Sequence, residues 1–195
     1  MHLILPKSRP SVIDSEHVSS LPLFFLAGPI LGADDWHREM FKLLCAEVGP
    51  CVVVNPSRYT SNHPDYELAL RGPVLDESQT AWERYWLRQA ATEWPTGCII
   101  FWLPKESRRN PRADGNPYAI DTRGELGEWR GHLMHDPTVR IVIGAEAGFP
   151  GLSVIAKNFS AAAPDIRIHE TMEEVAKRAV FYAQPRMSFS ERVLA

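Results

Sequence analysis

Apolar positions along the chain fall into two kinds of run. Four are short and nearly continuous: Leu23 to Ala27 (LFFLA), Cys51 to Val54 (CVVV), Cys98 to Leu103 (CIIFWL) and Val139 to Ile143 (VRIVI). Runs of that length and density predict strands buried on both faces, as in a parallel sheet. The others recur at helical spacing. Trp36, Met40, Leu43, Leu44 and Val48 form one such stripe, with Asp34 or Asp35 placed to cap it and Gly49-Pro50 to stop it. Gln79 to Glu93 puts Trp82, Trp86 and Ala90 on one face and ends at Pro95-Thr96-Gly97. A third helix carries Glu125 and runs to about Met134. A fifth strand is expected at Ile166 to Ile168 and a last amphipathic helix from Thr171 to Tyr182. Pro6 and Pro10 break the first twenty residues, which read as an arm with a short strand at Leu3 to Leu5.

Strands alternating with helices predict an α/β protein: a flavodoxin-like (Rossmann-like) parallel sheet of about five strands with helices on both faces. Residues 1–195 form one domain in this reading, with 1–20 as the N-terminal arm. In such sheets the carboxyl ends of the strands share a crevice that holds ligands. Gly28, Asn55, Pro104 and Gly144 mark those ends. Two long connections, Ser57 to Ser78 and Pro104 to Asn116, leave the same edge and are expected to cover a pocket there.

Composition narrows the function by exclusion. A formal net charge of -3 without a basic stripe gives no footprint for a nucleic acid polymer. No apolar run approaches membrane-spanning length, and the N-terminal MHLILPKSRP has too short an apolar part for a signal peptide. A cytoplasmic protein is expected. Cys45, Cys51 and Cys98 lie in apolar contexts without CxxC spacing, as buried thiols of a reducing compartment do. GxGxxG, GxxxxGK[ST] and GxSxG are absent, so dinucleotide, P-loop and serine-hydrolase chemistry have no support. His132 and His135 lack a third ligand and are expected to be solvated; no metal and no cofactor are expected.

What remains is carboxylates. Asp34, Asp35, Glu83, Asp121 and Glu125 fall near predicted strand ends or on helices that border the crevice. Asp121 and Glu125 are four apart, on one helical face if the helix already includes Asp121. The spacing fits a plainer arrangement as well, in which Asp121 caps the helix and Glu125 is a surface residue on its first turn.

LFFLAGPI, then DDWHREM, VVVNPSR, QTAWE, CIIFWLP, the ELGEW of Glu125 to Trp129, and VRIVIGAEAGFP follow in order from about Leu23 to Pro150. Together they resemble the nucleoside 2-deoxyribosyltransferase-like family, which includes base-exchanging transferases and nucleoside or nucleotide N-glycosidases. The resemblance implies that Glu125 is the catalytic nucleophile. It implies that Glu83 is an acid contacting or protonating the base, with Asp121 near another family carboxylate. Gly28 and Pro29 would line the sugar pocket, with Asp35 and Trp36 in the helix start that follows. Asn55 and Trp82, inside matched segments, and Tyr118, just before the Glu125 helix, complete the expected substrate-binding set. Phe24, Trp102 and Tyr118 fit a wall of the base site and fit the core equally.

Chemistry makes these roles coherent. Cleaving an N-glycosidic bond develops positive charge at C1′, which a carboxylate stabilises and captures. A second base or water then attacks the opposite face, with net retention. Amides near Gly124 at the helix start are expected to keep the nucleophile ionised. The segment after the first strand carries Asp34 and Asp35 and no basic residue, which favours an unphosphorylated nucleoside; Arg58, Arg108, Arg109 or a neighbouring subunit are the alternative phosphate contacts. The expected partners are a nucleoside and a nucleobase, and the family resemblance implies a homo-oligomer whose neighbour completes the site. Hydrolysis by the same nucleophile, and a non-catalytic nucleotide-binding or sensing module on the same fold, are the competing readings.

Overall fold

The strand runs meet in a single six-stranded parallel sheet, ordered β1-β3-β2-β4-β5-β6. The structure is a computed structural model that describes residues 2–10, 13, 15–57, 59–70, 72–73 and 78–184. Its strands are β1 (His2–Ile4), β2 (Leu23–Ala27), β3 (Val52–Val54), β4 (Gly97–Leu103), β5 (Ile141–Ala145) and β6 (Ile168–His169). Its helices are α1 (Glu16–Ser19), α2 (Trp36–Val48), α3 (Gln79–Arg88), α4 (Ile120–His135), α5 (Leu152–Ala162) and α6 (Met172–Tyr182). A π-helical turn, Gln89–Glu93, extends α3. Without β1, the order is that of a flavodoxin-like sheet.

β4 lies at the centre, and all seven of its residues are buried. Both faces of this strand are covered, so its sequence shows no polar alternation. Its partners are β2, in register from Leu23 opposite Gly97 to Ala27 opposite Phe101, and β5. α2 packs against α6, and α6 lies over β4 and β5. Right-handed crossovers place α3, α4 and α5 on the opposite face. Among the described residues, no helix is long and apolar enough to cross a membrane.

Three expectations are corrected. The sheet has six strands rather than about five, because the expected arm supplies an edge strand. β1 pairs in parallel with β3, and Leu3 and Ile4 are fully enclosed. Leu70 N donates to Leu3 O (2.7 Å), and the Trp82 indole donates to Ser8 O (2.9 Å). The short strand expected at Leu3 to Leu5 lies at His2–Ile4, and three residues are too few to show in advance which strand they pair with. The second correction is Gly144, which lies inside β5 rather than at its end. A Cβ there would run into Val175 and the Trp102 ring, so the position serves close packing under α6. The third is α4, which starts at Ile120, so Glu125 stands in its second turn.

Candidate active site

The order of strand addition reverses between the parallel strands β2 and β4: β2 leads outward to β3 on one side, β4 to β5 on the other. That is the switch point where open α/β sheets hold ligands. A cavity of about 640 Å³ opens there, a size suited to a small organic ligand. Its wall combines the β2 turn (Gly28, Pro29), the start of α2, the connection after β3, the first turns of α3 and the start of α4.

Glu125 faces this cavity from α4 and Glu83 faces it from α3. Burial is the first cause that pushes the Glu125 carboxyl up, to about 8, and the charges of Glu83, Asp121 and Glu128 add to it. The expected support from helix-start amides is absent. Gly124 is the fifth residue of α4, so its amide lies past the unpaired N–H groups of a helix start. Gln79 Nε2 donates to Glu83 Oε1 at 2.8 Å from one turn earlier in α3. Asp121 sits on the cavity rim, largely exposed, with Arg112 Nη1 3.6 Å away.

The chain enters α4 through Ala119, which caps the helix in the left-handed conformation at φ 57° and itself lines the cavity. A non-glycine residue there stores strain of about 1 kcal/mol. This bend turns the Tyr118 side chain inward, where its hydroxyl donates to Pro104 O at 2.8 Å.

Asp35 organises the opposite wall. Tyr59 Oη donates to its Oδ1 (2.7 Å), and His63 Nε2 lies 3.0 Å from its Oδ2. The two rings stack with centroids 3.4 Å apart. Asp65 N donates to His63 Nδ1 (3.1 Å), so the ring nitrogen that donates is Nε2, facing Asp35. Burial raises the Asp35 carboxyl, but the hydrogen bonds from Tyr59 and His63 outweigh it and hold the group below its usual range. One carboxylate therefore ties the connection after β3 to the start of α2.

Of the expected site residues, Glu125, Glu83, Asp121, Gly28, Pro29 and Asp35 come together around the cavity. Trp36, Asn55, Trp82 and Tyr118 stand behind it. Trp36 is buried, with its indole donating to Pro29 O at 2.9 Å, so it braces the β2 turn. Asn55 Oδ1 accepts from Ser57 N at 2.9 Å and shapes the exit from β3. Trp82 is wholly enclosed, and Tyr118 is 7% exposed. Arg108 and Arg109 are exposed and absent from the described lining; Arg58 lies outside the described residues.

Several wall residues had no signal in the sequence reading, notably His37, Tyr59, His63 and Arg112. His37 is next to Trp36, and its ring stacks on that indole at 3.8 Å. It is 2% exposed, and burial pushes it down to about 3, so it is neutral. Among the described residues its Nε2 has no partner. Neighbouring Asp34 Oδ1 accepts from Ser107 Oγ at 2.8 Å, which fastens the second long connection over the β2 turn. Among the described residues, no group of three or more His, Cys, Asp or Glu side chains is placed to hold a metal.

No protein-family model matches the chain, and no curated protein matches it.

Proposed function

We propose that the protein exchanges nucleobases on 2-deoxyribose by double displacement, with Glu125 as nucleophile and Glu83 as the acid facing the base. One observation carries this reading: two carboxyl groups from different helices, coupled in charge, face one cavity at the switch point of the sheet.

In the first step the ionised Glu125 carboxylate attacks C1′. The C1′–N bond breaks, its electron pair leaves with the base, and the base takes a proton by way of Glu83. In the second, the incoming base attacks C1′ from the other face, releases Glu125 and gives up its own N–H proton to Glu83. Water in place of the incoming base would give hydrolysis. The charge of Glu83 helps to keep the proton on Glu125. For a neutral nucleoside the reaction needs that proton off Glu125.

The test is incubation with thymidine or deoxyinosine, with and without adenine, followed by chromatography of bases and nucleosides. New deoxyadenosine that requires both adenine and Glu125 is the expected result. Base released equally without adenine would replace the transferase by an N-glycosidase. Binding without turnover would leave a sensing module.

A pH profile follows from the same group. The active form holds one proton between the two carboxyls, on Glu83 with Glu125 ionised; with Glu125 raised to about 8, kcat/KM for a neutral nucleoside is therefore expected to fall as pH rises through that value. A profile that instead rises through pH 8 and levels off would show that the base leaves without a proton from this pair and remove Glu83 as the acid.

A further inference from the structure

We propose that this cavity selects N-glycosides whose base already carries a positive charge, such as pyridinium or N7-alkylated purine nucleosides, over their neutral isosteres. The inference rests on the glycosyl-transfer reading above and names the substrate class for it.

The first ground is charge placement. Among the described residues, the lining holds four carboxylates, Asp34, Asp35, Glu83 and Asp121, and the Glu125 carboxyl, which keeps its proton up to about pH 8, against one guanidinium, that of Arg112. That guanidinium is already engaged: its Nε and Nη2 donate to Asp114 at 2.7 and 2.9 Å, and Asp121 lies beyond Nη1. Asp34 and Asp35 accept hydrogen bonds from the hydroxyls of Ser107 and Tyr59, neutral donors that hold the carboxylates without cancelling their charge. A cavity walled by one sign of charge concentrates ligands of the opposite sign.

The second ground is independent of the acids. His37 lines the same cavity, nearly fully buried and neutral, with an imidazole nitrogen that has no partner among the described residues. A buried polar nitrogen is normally satisfied, so this one points to a ligand group. Being neutral, it adds no positive charge to oppose a cation.

The third ground is the balance of the reaction. A neutral nucleoside needs a proton delivered to its departing base while Glu125, in the same cavity, gives one up. A cationic nucleoside removes both demands. Its charge favours ionisation of Glu125, whose proton leaves to solvent on binding. When the carboxylate attacks C1′, the electron pair of the C1′–N bond neutralises the base, which leaves without protonation.

The experiment separates binding from turnover. Binding of 1-methylnicotinamide, a cation, is compared with that of nicotinamide, at low and at about 0.5 M salt by calorimetry. In parallel, 7-methyl-2′-deoxyguanosine and 2′-deoxyguanosine are compared as glycosyl donors, each rate divided by its spontaneous rate. The expected result is a preference for the cation of about tenfold or more at low salt, shrinking at high salt and in Glu83→Gln. The cationic donor is expected to give the larger normalised rate. Equal binding, or preference for the neutral partner, overturns the proposal and leaves the transferase standing if thymidine still exchanges its base. Cation preference without Glu125-dependent turnover of any donor supports the charge selection and removes the transfer reading.

Discussion

Glu125→Gln is expected to lower base exchange by about a thousandfold or more, because the amide has no anionic oxygen to capture C1′. The same variant is expected to be more stable than the parent at alkaline pH. In the parent the carboxyl sits at about 8 when folded, against an ordinary value of 4.5. A carboxyl raised on folding binds more protons in the folded than in the unfolded chain. Its contribution to stability is therefore full below about 4.5 and declines as pH rises through 8. Gln carries no such penalty. Thermal melts of parent and variant at pH 6 and pH 9 should diverge, with the variant melting higher at pH 9. Exchange within about tenfold of the parent would exclude Glu125 as nucleophile. Equal melting at both pH values would show that the carboxyl is better hydrated than its burial indicates.

The largest expected loss of stability comes from Gly28→Ala. Gly28 has φ 155°, in the region that favours glycine, and follows directly on β2. A Cβ there would overlap the Trp102 carbonyl oxygen and lie 2.7 Å from Cζ2 of Trp36. Neither neighbour can yield easily. The carbonyl belongs to the central strand, and the Trp36 indole is held by its hydrogen bond to Pro29 O. The cost is expected to be about 3 kcal/mol, from overpacking and backbone strain together. Since Gly28 and Pro29 line the cavity, substrate affinity should fall as well. Denaturant unfolding with an unchanged m-value measures the first effect. Gly127→Ala is the control: it sits in α4, where an added methyl group would meet nothing within 4 Å, and helix propensity predicts a gain of up to about 1 kcal/mol. A Gly28→Ala loss no larger than a surface substitution would show that the end of β4 moves freely.

Much of the fold was legible because its signals are local. LFFLA and CIIFWL are continuous apolar runs, and a strand covered on both faces requires that pattern. α2 and α6 announced themselves by helical spacing and by their flanking turn or capping residues. The short strand near Leu3 was legible as well, but its place at the sheet edge was not, because that depends on residues far along the chain, Val52 to Val54 and Leu70. The aromatic residues divide in the same way. Trp36, Trp82 and Tyr118 stand in or beside the segments that resemble the family, but whether a ring faces a ligand or braces a turn depends on where its N–H or O–H finds an acceptor. Those acceptors, Pro29 O, Ser8 O and Pro104 O, lie 7, 74 and 14 residues away.

Period and composition belong to the local chain, so the residues alone carried a parallel α/β sheet and singled out the carboxylates near its strand ends. Folding added the rest: which of those acids share a cavity with Glu125, that Asp35 engages both oxygens with Tyr59 and His63, and that His37 is enclosed and neutral. Electrostatic character is the reason. The charge state of a carboxyl or imidazole is set by burial and by neighbours brought in from other elements, and no spacing along the chain encodes that environment.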